Sequence, residues 1–433
     1  MRAERLSREF AAALAHTDPG LGTGTTTGSL LGVEHEFRVH RDGAIVHFAP
    51  LLASLHLGRL HLDPGDVNAR RLASGAAVTC DGSEAEIALP PVAVGPGFTA
   101  EVVDRADAEM LALHSGLGAG TTLQGTSTHV SVAVDGGPDV VDAVAAAYAR
   151  TYSAALMLLL DRTDSYGVYV RPRPGRLELC GEYVRGSRLG VVAAFAAGTV
   201  SACADAVLHG RQALPPLRVA VAASTDRYGY LVHRHAFGGD LYREGPAAWL
   251  ATENGPITAA AHLRSAWTTA RAQLEGRGCH SDVAAVEAFL ATTGRLPVHL
   301  DDEVTQAETP VQARAAPPPA PCGRLAATIR RPRYDMAAVM LTWDAAVLVA
   351  SRSRRRHAFL TVPRTSLDTF LTRLDAGELD DVILAFLRGR SRGRALTRRE
   401  QVLEPGLFDI LGNRRALLAA EVGGTVPGTA AAA

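Results

Sequence analysis

Lysine is absent from the 433-residue chain, so all 44 basic residues are arginine. That excludes a P-loop lysine, Schiff-base chemistry and a lysine nucleophile. Arginine remains suited to two-pronged binding of phosphate and carboxylate. Cysteine is scarce as well. The five present (Cys80, Cys180, Cys203, Cys279, Cys322) are scattered, odd in number and free of any C-x-x-C pair. Neither a zinc ribbon nor a disulfide framework is indicated. The first twenty residues, MRAERLSREFAAALAHTDPG, carry charges throughout and lack the apolar core of a signal peptide. The longest uncharged apolar run, residues 190–204, is too short to span a bilayer. A reducing cytoplasm and no membrane association are therefore expected. A net charge of −1 offers no bulk attraction to nucleic acid or anionic lipid. With 47% hydrophobic and 21% charged residues the composition is that of a globular protein. The length predicts two domains.

What is present starts with residues 32–39, GVEHEFRV. As a strand, this stretch alternates between two faces. Val33, His35, Phe37 and Val39 form an apolar face, and Glu34, Glu36 and Arg38 form the other. Two carboxylates about 6–7 Å apart at their Cα atoms suit two neighbouring hard cations, or one cation and a water. The same pattern also describes a half-buried strand with a wet, charged face. Residues 41–43, Arg-Asp-Gly, predict a hairpin turn into residues 44–48.

A second E-x-E follows in residues 78–91, VTCDGSEAEIALPP. Asp81-Gly82 reads as a turn and 83–89 as a strand ended by two prolines. Ala85, Ile87 and Leu89 share its apolar face, while Glu84 and Glu86 share the other. Residues 99–115 predict a surface helix. Residues 124–134, QGTSTHVSVAV, predict a third strand with Thr128, Val130, Val132 and Val134 on the apolar face. His129, Ser131 and Ala133 lie opposite. A lone strand histidine is more often structural than a ligand, but this one shares the polar face. Residues 139–162 predict one long helix.

Residues 170–186, VRPRPGRLELCGEYVRG, form an arginine- and proline-rich loop feeding a fourth strand. Leu177 and Leu179 face the core, and Arg176, Glu178, Cys180 and Glu182 the other side. Arg171, Arg173 and Arg176 beside carboxylates could neutralise phosphate oxygens; a surface ion-pair network is the alternative. Helices are expected around 189–212 and 257–275. The spacing of His233 and His235 matches no metal signature, and the glycine-rich residues 20–29 read as a flexible lead-in rather than a phosphate loop.

Residues 307–323, AETPVQARAAPPPAPCG, predict a linker. Beyond it, strands are expected at 337–341 and 345–350 and a helix at 367–387. From residue 307 onward 19 arginines stand against 12 acidic residues, a charge of +7; the preceding part has 25 against 33, or −8. RSRRRH (352–357) and RGRSRGR (388–394) supply much of that excess. They lack interleaved aromatics, so a solvated basic face or an interdomain contact is expected rather than nucleic-acid binding.

The order E-x-E, E-x-E, T-H-V and R…R-x-E resembles the glutamate–cysteine ligase and carboxylate–amine ligase family, within the glutamine synthetase superfamily. The matching motifs are G-V-E-H-E-F (32–37), E-A-E-I-A-L-P-P (84–91), T-H-V (128–130) and R-x-R-P-G-R-L-E-L (171–179), within about the first 190 residues. The resemblance implies an α+β fold in which a curved antiparallel sheet forms a metal and ATP funnel with helices packed outside. A smaller C-terminal α/β domain would follow. The expected boundaries are 1–306 for the catalytic domain, 307–322 for the linker and 323–433 for the basic domain. It further implies ATP with Mg²⁺ or Mn²⁺, a metal-facing set of Glu34, Glu36, Glu84, Glu86, His129 and Glu178, and phosphate contacts from Arg171 and Arg176, with Arg173 beside them. The catalytic group would be Glu36, Arg171, Arg176 and Glu178. The expected partners are small-molecule carboxylate and amine substrates joined through an acyl phosphate; a homo-oligomer is compatible with the sequence. A non-catalytic relative that uses the scaffold to bind a ligand or protein is the alternative. Two departures stand out. The family strand runs E-x-R where this chain has Glu178-Leu179-Cys180, and Ser131 occupies a position where many relatives carry a second histidine.

Overall fold

The computed structural model describes residues 29–55, 61–62, 70–71, 76–219, 221–223, 229–292, 328–330, 332–341, 345–353, 356–363, 367–381 and 383–384. The linker expected at 307–322, the glycine-rich residues 20–28, and RGRSRGR lie outside the described residues. The chain divides into two compact units. One comprises Thr27–Leu57 and Val78–Pro317; the other gathers Gly58–Ala77 with Pro318–Ala433.

The larger unit is built on an antiparallel sheet. Its first strand, β1 (Leu30–Arg41), turns through Asp42 and Gly43 into β2 (Ala44–Val46). Both turn residues sit at positive φ, 51° and 81°, which matches the twist of a two-residue hairpin. A short helix, α1 (Phe48–Ser54), follows. In the smaller unit β3 (His61–Leu62) pairs with β4 (Arg70–Arg71). Returning to the larger unit, β5 (Ala77–Asp81), β6 (Glu84–Ala88) and β7 (Val92–Ala93) lead into α2 (Phe98–Leu117) and the long β8 (Thr121–Ala133). Then come α3 (Pro138–Thr151), α4 (Ser153–Leu160), β9 (Gly167–Arg173), β10 (Arg176–Glu182) and α5 (Gly186–Leu208). The spatial order runs β9–β10–β8–β1–β6–β5, so neighbours in space come from distant stretches of chain. At one side β9 pairs with β12 (Tyr230–His233), which carries β11 (Ala222–Ala223). The mixed helices and antiparallel sheet make the fold α+β.

Strand alternation gives the sheet two unlike faces. Val33, Phe37, Ala85, Ile87, Val130, Val132, Val168, Leu177 and Leu179 are all at most 2% exposed and point to one side. That side is covered by α2, α3, α4 and α5, and α7 (Ala259–Glu275) and α8 (His280–Thr292) pack on α5; between α5 and α7, α6 (Leu241–Glu244) and the hairpin of β13 (Trp249–Thr252) and β14 (Gly255–Thr258) intervene in sequence. Helix α5 is the centre of the layer. It is long and apolar enough to cross a membrane, but its apolar surface is used on α2, α3 and α7. The crossing with α7 is close because Gly198 lacks a Cβ: one placed there would lie 2.6 Å from Ala270 Cβ and from its carbonyl oxygen.

Two details depart from the sequence reading. The long helix expected over 139–162 is two helices, α3 and α4, meeting at 74°. The break falls at Tyr152, whose φ of −118° leaves the helical range. Next to it Ser153 Oγ donates to the Ala149 carbonyl at 2.6 Å, a back-bond of the kind that bends helices. Helix α2 begins at Gly97, which has no side chain to cap it. Asp282, in the first turn of α8, does so instead: its Oδ2 accepts from Gly97 N–H at 2.7 Å and its Oδ1 from Thr99 N–H at 3.0 Å.

In the smaller unit β15 (Thr328–Arg330), β16 (Asp335–Leu341), β17 (Ala345–Ser353) and β18 (Arg356–Pro363) form an antiparallel sheet in sequence order, next to α9 (Leu367–Ala376). Tyr334, Met336, Ala350, Phe370, Leu374 and Ile383 are buried there. Tyr334 Oη donates to Asp380 at 2.6 Å.

Candidate metal centre

The side of the sheet away from the helices carries three rows of side chains, each crossing several strands. Register sets them. One row runs Arg171–Glu178–Ser131. The next runs Tyr169–Cys180–His129–Glu34–Ala88, and the third Glu182–Ser127–Glu36–Glu86. The four acid- and histidine-bearing motifs, up to 144 positions apart in sequence between Glu34 and Glu178, thus meet on one surface.

Two clusters of ligand atoms result. Glu34, His129 and Glu178 each bring one such atom within 4.8 Å of the others, and so do Glu36, Asp81 and Glu86. His129 lies between them: Nδ1 is 3.4 Å from Glu34 Oε2 and Nε2 is 3.8 Å from Glu36 Oε1. Burial opposes its protonation. The hydrogen bond to Glu34 and the charges of Glu36, Glu34 and Glu178 outweigh that and raise its pKa.

The clusters differ in how charge is balanced. Glu178, whose side chain is only 4% exposed, receives Arg173 at 2.9 Å and Arg171 at 3.4 Å, both on Oε2. Burial alone would raise its pKa, but Arg173 foremost, with His129 and Arg171, holds the carboxyl below its ordinary value. Glu86 has no such guanidinium. Burial first, then the charges of Glu34 and Glu36, push its carboxyl up to about 8. It takes a proton where a cation is lacking.

Of the expected metal-facing set, Glu34, Glu36, Glu86, His129 and Glu178 are brought into the two clusters. Glu84 stands outside both. A register shift after Glu36 inserts Thr126 into β8. Thr126 Oγ1 then donates to Glu84 Oε2 at 2.8 Å, and Arg38 Nε pairs with Oε1 at 2.9 Å. Asp81 joins a cluster although its sequence reads as a turn. The signal was its place as the last residue of β5, on the polar side next to an E-x-E strand. Arg171 and Arg173 reach Glu178, while Arg176 Nε donates to Ser131 Oγ at 3.3 Å. Cys180 sits between His129 and Tyr169 in its row, and burial followed by the Glu178 charge keeps it a thiol. Arg188, close by in sequence, does not take that place: it is buried and donates to the carbonyls of Leu159 and Asp161.

The donor chemistry fits hard divalent cations. The Glu36, Asp81, Glu86 cluster offers oxygen alone, as Mg²⁺ and Mn²⁺ prefer, and the other adds one imidazole to two carboxylates. No protein family matches the chain, and no curated protein matches it. Among solved structures, the complex between the prokaryotic ubiquitin-like protein Pup and its ligase PafA is similar to it at 10% identity and a TM-score of 0.38. The similarity covers 61% of this chain and 63% of that one, so the chain spans less than two thirds of that relative's length.

Proposed function

We propose that the chain is an ATP-dependent carboxylate–amine ligase that uses Mg²⁺ or Mn²⁺ on the polar face of its sheet. One observation carries the reading: two three-ligand clusters lie side by side, flanked by Arg171, Arg173 and Arg176. Bound cations would screen the phosphate charge as the terminal phosphoryl group leaves ADP for a substrate carboxylate oxygen. Glu34, His129 and Glu178 would hold one cation, and Glu36, Asp81 and Glu86 another. Arg171 and Arg173 occupy Glu178 in this structure and would turn to phosphate oxygens once a cation takes that carboxylate. An amine nitrogen then forms the amide bond at the activated carbon, phosphate departs, and the amine loses a proton. The sheet supplies position and fixed charge rather than a nucleophile. With Cys180 in place of an arginine, glutamate is not singled out as the acid. Small-molecule acids and amines and a cytoplasmic setting remain part of this proposal.

A second reading is a scaffold that binds without turnover. Cys180 and the arginine-neutralised Glu178 favour it. The melting temperature decides, measured with ATP and Mg²⁺ together and apart. A ligand at a hundred times its dissociation constant stabilises by about 2.7 kcal/mol, a shift of several degrees. A shift that needs both, followed by ADP release on adding carboxylates and amines, is expected. A shift without ADP release from any pair moves the conclusion to the binding scaffold. No shift removes the nucleotide reading.

A further inference from the structure

The chemistry-bearing face does not stop at Glu178. On β12, Leu231 pairs with Tyr169 and His233 with Gly167, while the intervening Val232 and Val168 are fully buried. Leu231 and His233 therefore share a face with Tyr169, Cys180 and His129. His233 lies three strands from His129 and one pleat along, about 16 Å away. Gly167, opposite His233, presents no side chain there. A Cβ there would lie 2.2 Å from the Val232 carbonyl oxygen, so the strand pairing itself demands glycine.

At the far end stand three rings. Tyr166 is 65% exposed and meets His233 edge-on at 4.2 Å; His235 lies 5.1 Å from His233, tilted by 39°. The backbone N–H of His235 donates to His233 Nδ1 at 3.1 Å, so this nitrogen is the acceptor of the ring. His235 also walls a surface cleft of about 480 Å³, floored by Gly238 and Gly239 and edged by Arg243 and Glu244. Its other carboxylate, Asp240, is occupied by Arg234 at 2.8 Å and by the N–H groups of Tyr242 and Arg243. That leaves Glu244 as the second carboxylate lining the cleft.

An exposed tyrosine beside two histidines contributes little to the core, and its partner His233 shares the sheet face that carries the two clusters. We propose that Tyr166, His233 and His235 form a stacking shelf for the base of a nucleoside triphosphate, with Glu244 accepting a hydrogen bond from its ribose or amino group. The proposal rests on the nucleotide reading above for the other end of the ligand. Base–aromatic stacking accepts any π-face and is strong enough to measure by removing one ring.

The test measures Mg²⁺-ATP, Mg²⁺-tripolyphosphate and adenosine binding to the full chain by calorimetry, for wild type, Tyr166→Ala and His233→Ala. Both side chains lie outside the core, and a melting curve of each variant verifies folding. The expected result is ATP weakened about tenfold in each variant, with tripolyphosphate unchanged. Variants that bind ATP like wild type, or lose tripolyphosphate equally, overturn the shelf. Wild type that binds tripolyphosphate as tightly as ATP also overturns it and leaves the metal and phosphate site standing. Adenosine binding that falls in Tyr166→Ala, with no tripolyphosphate bound, keeps the shelf and removes the phosphate site. No binding of any of the three removes both.

Discussion

Glu178 and Glu86 lie on the same face of one sheet, yet their surroundings are opposite. Glu178 is supplied with two guanidinium groups and a neighbouring imidazole by its own chain. Glu86 has no guanidinium; burial and the charges of Glu34 and Glu36 outweigh the nearby His129 and push it up to about 8. A buried carboxylate among carboxylates is a costly arrangement to keep unless something positive arrives. The first cluster is thus balanced in advance and, under the proposed function, would have to release an arginine to accept a cation. The second has no guanidinium, only the shared His129 at 3.8 Å from Glu36. Under the proposed function, Glu36, Asp81 and Glu86 would make the stronger demand for metal, and the arginines at Glu178 would be the groups freed for an anion.

The largest effect expected from breaking this contrast is at Glu86. Glu86→Gln removes a ligand and the repulsion together, so Mg²⁺ affinity falls about 100-fold or more while the metal-free protein melts higher at pH 8. In the native chain the folded state keeps the Glu86 proton that the unfolded state sheds near the ordinary value of 4.5. Metal-free stability contributed by that proton is therefore present at low pH and lost as pH rises towards 8. Mg²⁺ displaces it, so the stabilisation by Mg²⁺ grows over the same window. Melting curves at a series of pH values, with and without Mg²⁺, check both; a flat Mg²⁺ effect across the window contradicts the assignment.

A smaller effect is expected at Arg173. Arg173→Gln takes a competitor away from Glu178 and should tighten Mn²⁺ about fivefold, roughly 1 kcal/mol, while weakening tripolyphosphate. Weaker Mn²⁺ binding in this variant would mean that Arg173 holds Glu178 in place for the cation instead. The smallest is at Glu84. With Arg38 and Thr126 as its partners, Glu84→Gln should change Mg²⁺ affinity by no more than about twofold. A loss as large as that of Glu86→Gln would return it to the metal-binding set.

Much of the centre was legible because strand alternation needs only the order of residues. The period of two put Glu34, Glu36, Glu86, His129 and Glu178 on polar faces before any pairing was known. What alternation cannot carry is register between strands. The inserted residue at Thr126 decides that Glu84 meets a threonine and Arg38, and nothing in the local pattern QGTSTHVSVAV announces it. Asp81 was hidden for a related reason: Asp-Gly is a strong turn signal, and only the neighbouring strand shows where its carboxylate goes. The arginines were recognised as charge-bearing partners, but whether they meet phosphate or Glu178 depends on distances across β9 and β10. On the helical side, the alanine- and leucine-rich residues 139–162 read as one long helix, and a single buried residue, Tyr152, cut it in two.

The cap on α2 has a consequence for how the chain comes to be folded. Asp282 lies 183 positions beyond Thr99, whose N–H it accepts. At synthesis rates of about 5–20 residues per second, the start of α2 emerges some 10–40 s before its partner. Until then the helix has open donors at its first turn and no α8 to rest on. The larger unit is consequently unable to close in the order in which it is made, and any fragment ending before Asp282 leaves α2 waiting for a contact that never arrives.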